Sequence, residues 1–524
     1  MGSIVDKRIA RLADAGSRGV LVGGLKGIEK ESLRVFRDGR LADTPHPERL
    51  GSALTNRYIT TDFSEALLEF VTPAAPATWQ SLETLCEIHQ FTYERIGDEL
   101  LWVTSMPCLM AENREIPLAQ YGSSNVGRMK TIYRNGLGYR YGRRMQTIAG
   151  VHFNYSLPET FWPHYQQLEK SNASADAFRS DAYLGLVRNF RRFGWLILYL
   201  FGASPALCKS FFAGRETDLE HFNESTFFAP HSTSLRMSDL GYSNNSQARI
   251  NISLNSLDEY IHDLRCAICT PEPSYEAIGV LVDGSYRQLS ANRLQIENEY
   301  YSPIRPKRVA MSGERPTAAL LRGGIEYVEV RSLDLNVFDP VGINQNVMRF
   351  TEAFLIYCML EESPLFDDAN WFEMTRNHGA TARDGRNPQF MLLRDGKDVP
   401  MRVWADEILD KVRAIAELID GGAGDYVSAV DAQAELVADP GLTPSARVLA
   451  DMRDAGTGFY HFAMEAAIGH RDYFASLTPM EPDRVEHFEN EARASLQRQR
   501  DVEAADTMTF EEYLAKYYSD QGCC

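Results

Sequence analysis

Acidic and histidine side chains recur at short, regular spacing in four segments of this chain. They are Gly27-Ile-Glu29-Lys-Glu31, Asp62-Phe-Ser-Glu65-Ala-Leu-Leu-Glu69, Val151-His152-Phe-Asn154 and Tyr327-Val-Glu329-Val-Arg331. Three of the four alternate with the two-residue period of a half-buried strand, so Glu29 with Glu31, His152 with Asn154, and Glu329 with Arg331 share strand faces. Two carboxylates about 5 Å apart repel by roughly 3 kcal/mol at an effective dielectric near 20, so several aimed at one cavity call for a compensating cation. Carboxylate oxygens with a single imidazole suit a hard divalent ion, magnesium or manganese, of the kind that also holds nucleotide phosphates. Any one of these acidic residues alone would read as a solvated surface charge. The His152 segment argues otherwise: Val151, Phe153, Tyr155 and Leu157 fall on one strand face and His152, Asn154 and Ser156 on the other, a coherent polar wall. Spacing thus supports a metal-dependent site without naming a reaction.

The elements that carry these residues sit in an ordinary globular composition. The 524 residues are 44% hydrophobic and 24% charged, enough for two or three cores. A net charge of -18 argues against nucleic acid as a partner and places any attraction for anionic substrates in local cations and a few arginines. The longest apolar stretch, Phe193 to Ala203, precedes Ser204-Pro205 and is too short to cross a bilayer. Residues Ile4 to Ala15 mix charge with apolar residues and lack a signal-peptide core, so a cytoplasmic protein without membrane attachment is expected. Eight cysteines are too few for a disulfide framework, and reduced thiols are expected. Cys266-Ala-Ile-Cys269 has no matching second pair and reads as two helix cysteines, while Cys523 and Cys524 read as exposed thiols with no anchoring role.

Period-two segments dominate up to about residue 365: Tyr58 to Thr61, Val151 to Leu157, Ile250 to Leu254, Leu294 to Tyr301 and Ile325 to Leu333. Beyond that the period becomes helical. Asp406 to Ile419 ends at Gly421-Gly422, and Ser445 to Ala467 and Pro482 to Ala505 follow. The implied class is α+β: an antiparallel sheet with surrounding helices in a catalytic region, 1–365, and a mainly helical C-terminal region, 366–524.

Longer runs carry a family resemblance. GIEKESLRV (27–35), LGSALTNRYITTDFSEALLEFVTP (50–73), SMPC (105–108), LAQYGSSNVGRMKTIYRNGL (118–137), MQTIAGVHFNYSLP (145–158), YLFGASPALC (199–208), SLRMSDLGYSNNSQ (234–247), LQIENEYYSPIRPKR (294–308) and LLRGGIEYVEVRSLDLN (320–336) closely resemble glutamate-cysteine ligases of the proteobacterial type. The likeness is nearly end to end, reaching EAADT near the C-terminus, and weakens mainly between about 365 and 440. It implies a glutamine synthetase-like fold whose curved antiparallel sheet forms a funnel-shaped active site. It also implies ATP-dependent joining of the γ-carboxylate of L-glutamate to the amine of L-cysteine through γ-glutamyl phosphate, the first step of glutathione biosynthesis.

By the same resemblance, Glu29, Glu31, Asp62, Glu69, His152 and Glu329 hold magnesium, and Arg331 stabilises the phosphoryl group in transfer. Arg134 and Arg236 resemble the clamp for the cysteine carboxylate, walled by Phe63, Tyr133, Leu137, Gln146, Tyr242 and Tyr301. Arg305 and Lys307 follow a strand and are expected to face nucleotide phosphates. Feedback inhibition by glutathione is implied, and a monomer is expected. Two other readings compete: a related ligase with a different amine acceptor, which the complete acceptor motif argues against, and a silent metal- or nucleotide-binding regulator. The regulator would have lost a metal ligand or Arg331, and none is missing. A second, appended ligase domain is not expected, because only a helical region follows residue 365.

Overall fold

The computed structural model describes residues 3–14, 19–108, 115–212, 216–240, 250–311 and 313–519. Tyr242, Cys523 and Cys524 lie outside the described residues. The centre is an open antiparallel sheet of seven strands. In chain order these are β1 (Leu25–Val35), β2 (Ile59–Thr61), β3 (Leu67–Val71), β4 (Leu100–Leu101), β5 (Val151–Ser156), β6 (Ile304–Lys307) and β7 (Tyr327–Leu333). Across the sheet the order is β6, β7, β5, β1, β3, β2, with β4 paired to the end of β1.

Two adjacent cross-strand rows show how alternation builds two different faces. Ile304, Val330, Phe153 and Ile28 stand opposite one another on β6, β7, β5 and β1. None is more than 1% exposed, and burial of each side chain stabilises the fold by about 1.5–3 kcal/mol. One residue along, the row is Arg305, Glu329, Asn154 and Gly27, which faces the other way. Lys30, between Glu29 and Glu31, points to the packed face, where its Nζ lies 3.0 Å from His89 Nε2 and 2.5 Å from Ser32 Oγ. Burial pushes that amine down to about 7.

Helices cover the packed face. Trp195–Phe201, from the long apolar stretch, is buried throughout, and twelve residues of Gln345–Leu360 are buried. The helix Met401–Asp420 fulfils the Asp406 to Ile419 periodicity and stops at Gly421, left-handed at φ 57°. The Trp404 and Trp195 rings pack tilted at 48° with centres 5.2 Å apart, and the Tyr199 hydroxyl donates to the Leu436 carbonyl at 3.0 Å. One hydrophobic core therefore spans residue 365. Among the described residues, no helix is long and apolar enough to cross a membrane.

Four expectations need correction. Ile250 to Leu254 forms no strand, and Leu294 to Tyr301 folds as an extended segment around the 3-10 turn Glu297–Glu299. The alternation there is real, since Leu294, Ile296 and Tyr300 are buried. The intervening carboxylates, however, are held by arginines and no sheet ladder forms: Glu299 pairs with Arg140 and Glu297 with Arg315, each at 2.8 Å. Ser445 to Ala467 is two helices, Pro444–Asp454 and Phe459–Ser476, separated at Gly456, where φ is 62°. Nor are all thiols reduced. Cys108 and Cys208, 100 residues apart in sequence, are buried with Cα atoms 5.3 Å apart and joined as a disulfide, and Cys266 and Cys269 are also disulfide-bonded.

Candidate active site

The polar face of the sheet lines a cavity of about 1020 Å³. Glu29 on β1 stands opposite His152 on β5, and Glu31 stands opposite Glu69 on β3. The His152 Nδ1 lies 3.0 Å from Glu29 Oε2 and 3.6 Å from Glu329 Oε1, while its Nε2 lies 3.8 Å from Glu31 Oε1. Asn154 Nδ2 donates to Glu29 Oε1 at 2.9 Å, which orients the carboxylate. Ligand atoms of Glu29, His152 and Glu329 fall within 4.8 Å of one another, the only such group found among the described residues. Glu329 Oε2 is buried and accepts no hydrogen bond, with Lys307 Nζ 3.2 Å away as its nearest cation. That orphaned oxygen, within an oxygen-rich donor set and beside a single imidazole, fits a hard divalent cation.

The carboxylates divide electrostatically. For Glu329, burial favours the neutral form, but Lys307, Arg331 and His152 outweigh it and hold the group well below the usual range. Glu29 is lowered in the same way, burial being overcome by its bond to His152. Glu31 is pushed up by burial. Glu69 is pushed well up, by burial first and then by Glu29, Asp62 and Glu31. A group whose folded-state pKa lies above its unfolded value of about 4.5 lowers stability increasingly as pH rises from that value to the folded one. Glu69→Gln should therefore raise the thermal midpoint of the ligand-free protein at pH 8 and leave it unchanged at pH 4, as differential scanning calorimetry in the presence of a chelator would register. An unchanged midpoint at both values would remove Glu69 from the crowded set.

Cationic side chains stand beside this cluster. The pairing of β7 with β5 shifts register between Val330 and Leu333, and Arg331, within that irregularity, lines the cavity. Its Nη1 donates to Glu329 Oε1 at 2.7 Å, and its Nε is buried without a partner. Arg305 and Lys307 on β6 also line the cavity, although Arg305 Nη2 is already bonded to the Asn298 and Tyr300 carbonyls.

The opposite wall is one face of the helix Asn125–Tyr141, capped by Ser124 and ended by Gly142. Val126, Met129, Lys130, Tyr133, Arg134, Leu137, Arg140 and Tyr141 recur on that face at helical spacing. Of the expected acceptor set, Phe63, Gln146 and Tyr301 also line the cavity. Arg134 lies 4.6 Å from the Tyr121 ring centre and donates to the Asp62 carbonyl. Arg236 is placed differently. It is 1% exposed and does not line the cavity; its Nη2 donates to the Arg331 carbonyl at 2.9 Å and its Nη1 to the Leu333 carbonyl at 3.3 Å. A side chain at Gly150 would collide with it. Glu65 is tied up structurally, accepting from the His46 and Gln120 amides at 2.9 and 2.8 Å. Lining residues that sequence reasoning missed include Arg140, Glu299, Arg315, Tyr513 and Tyr517. The first belongs to the helical period of 125–141, a readable signal; the tyrosines come from the C-terminal helix, for which sequence offers none.

Comparison with known proteins identifies the family. The family model described as glutamate-cysteine ligase matches residues 9–381. The chain is 52% identical over 523 residues to glutamate-cysteine ligase of Alcanivorax borkumensis, covering 98% of this chain and 99% of that one. It is 47% identical over 519 residues to the Pseudomonas putida enzyme, covering 99% and 98%. The crystal structure of Francisella tularensis glutamate-cysteine ligase in complex with AMP superposes with a TM-score of 0.91 at 36% identity, over 96% of this chain and 99% of that one. A bifunctional glutathione synthetase from Pasteurella multocida superposes with a TM-score of 0.70 at 25% identity, over 90% of this chain but 55% of that one. The chain belongs to the glutamate-cysteine ligase family, ATP-dependent enzymes of the first step of glutathione biosynthesis.

Proposed function

We propose that this cavity joins L-glutamate to L-cysteine in two steps: the γ-carboxylate of glutamate attacks the γ-phosphate of ATP, and the amine of cysteine then displaces phosphate from the γ-glutamyl phosphate. The observation that carries this reading is the meeting of two sets of residues in one cavity, the Glu29, His152 and Glu329 cluster beside Arg331, and the Arg134 wall with Phe63, Leu137, Gln146 and Tyr301. Glu29, His152 and Glu329, with Glu31, Asp62 and Glu69 around them, would hold magnesium or manganese, which when bound neutralises phosphate charge. Arg331 presents its unpartnered Nε to the transferring phosphoryl group, and Lys307 adds a second positive charge. Arg134 binds the cysteine carboxylate, and the apolar walls keep water from the acyl phosphate.

Glutathione, whose γ-glutamyl part matches the donor site, would inhibit competitively with glutamate. The deciding assay is release of ADP with glutamate and each of several amines. Cysteine should be preferred; faster turnover with another amine, or release independent of any amine, would refute the reading.

A further inference from the structure

The helix Leu257–Cys269 takes no part in lining the active-site cavity. Its inner face, Tyr260, Ile261, Leu264, Ala267 and Ile268, is buried. His262, Cys266 and Cys269 follow one another at intervals of four and three and share another face, where His262 is exposed and both cysteines are half-buried. Cys266 Sγ lies 3.4 Å from His262 Nε2. Two ligands of one tetrahedral zinc ion, a sulfur at about 2.3 Å and an imidazole nitrogen at about 2.0–2.1 Å, stand about 3.6 Å from each other. The imidazole and the first sulfur are therefore already at the separation that a shared ion requires. Two cysteines separated by two residues have the spacing at which one turn of chain gives such an ion both its sulfurs.

The end of this helix is held in place from outside. Asn292 Nδ2 donates to the Ile268 carbonyl at 2.5 Å, the Leu294 amide to the Ala267 carbonyl at 3.1 Å and the Arg293 amide to the Thr270 carbonyl at 2.8 Å. The carbonyl end of a helix carries partial negative charge, which favours a cation there. In the structure both cysteines are disulfide-bonded, and a sulfur so engaged is no metal ligand. Reduction is what supplies the ligands. A small thiol opens each disulfide by exchange: its thiolate attacks one sulfur, the other sulfur leaves as a thiol, and a second molecule of the small thiol then displaces the protein sulfur from the mixed disulfide. The products are two protein thiols and the disulfide of the small thiol. Cysteine, the acceptor in the proposed reaction, is a thiol of this class. Metal binding then releases the proton of each ligating thiol.

We propose that His262, Cys266 and Cys269, once reduced, form a site for a thiophilic divalent cation of the zinc type, separate from the oxygen-rich cluster that suits magnesium. The exposure of His262 leaves the fourth position of the ion open to water. The site does not depend on the ligase reading. It is tested on the full-length protein in saturating magnesium, reduced with a phosphine or left in the disulfide form, by titration with cobalt as a spectroscopic stand-in for zinc. The reduced parent should develop thiolate-to-cobalt charge-transfer absorption that saturates at a single equivalent and vanishes on addition of zinc. The disulfide form should develop none. Cobalt held by carboxylates and an imidazole alone gives no thiolate band, so the Glu29, His152 and Glu329 cluster does not mimic the signal. Cys266→Ser and Cys269→Ser should each lose the band. His262→Ala should need at least about 10-fold more cobalt to reach it, since even a group that merely orients a ligand is worth that much. The double variant Cys523→Ser, Cys524→Ser should keep the band. Its absence in the reduced parent, its survival in Cys266→Ser and Cys269→Ser, or parent-like saturation in His262→Ala would overturn the site. Loss of the band in the Cys523→Ser, Cys524→Ser variant would overturn it too, because the sulfur ligands would then not be those of the helix alone. The comparison of reduced with oxidised parent needs no substitution, so it decides the matter even where a variant fails to fold.

Discussion

Glu329→Gln is expected to lower turnover by about 100-fold to 1000-fold at ordinary magnesium concentrations, the cost of removing one preorganised electrostatic group from a phosphoryl-transfer site. An amide binds a hard cation weakly, and its loss of charge leaves Arg331 and Lys307 facing a neutral group. The crowding of carboxylates in the sequence suggests that this substitution would leave the ligand-free fold as stable or more so. The arrangement of charges reverses that expectation. Glu329 is the carboxylate most compensated by cations and is held well below the usual range, so it contributes stability above pH about 4.5 that is lost as pH falls through its folded value. Replacing it leaves half-buried cationic groups short of a partner, and the ligand-free protein should lose about 1–3 kcal/mol near neutral pH. Relief of repulsion belongs to Glu69, which has burial and three acidic neighbours against it. Turnover near the parent's in Glu329→Gln would detach the residue from the metal site. A raised unfolding midpoint would show that carboxylate crowding outweighs its cationic partners.

Much of this site is readable because strand alternation is strictly local. A period of two fixes which of Glu29, Lys30 and Glu31 face the cavity once the strand exists, and the pairing of β1 with β5 then sets Glu29 against His152. What sequence cannot give is whether an alternating segment has a neighbour to pair with. Leu294 to Tyr301 has the same pattern as β5, yet its alternate carboxylates find Arg315 and Arg140 in place of a ladder partner. Partners distant in the chain are equally silent. Nothing in the spacing brings Cys108 to Cys208, or Tyr517 to a cavity whose chemistry begins at Glu29. The resemblance names Arg236 as an acceptor clamp, while in the structure its guanidinium is buried against the β7 backbone, a contact that the motif does not announce.

That placement separates two arginines that the sequence groups together. Arg134 lines the cavity and stacks on Tyr121, so Arg134→Ala should leave the first half-reaction intact. Glutamate-dependent scrambling of labelled oxygen between bridging and non-bridging positions of ATP should persist, while the apparent affinity for cysteine falls. Truncating one side of a desolvated charge pair costs about 2–5 kcal/mol, roughly 30-fold to several thousandfold in that affinity. Arg236→Ala should behave differently. Its guanidinium donates to the carbonyls of Arg331 and Leu333 at the register shift of β7, so its removal loosens the backbone that carries Arg331. Scrambling and ligation should then decline together, with the KM for cysteine little changed, and Arg236→Lys, a shorter point-charge donor, should restore only part of the rate. If Arg236→Ala keeps full scrambling and loses only its response to cysteine, the guanidinium reaches the acceptor in the working enzyme, and its bonds to the β7 backbone do not describe its role.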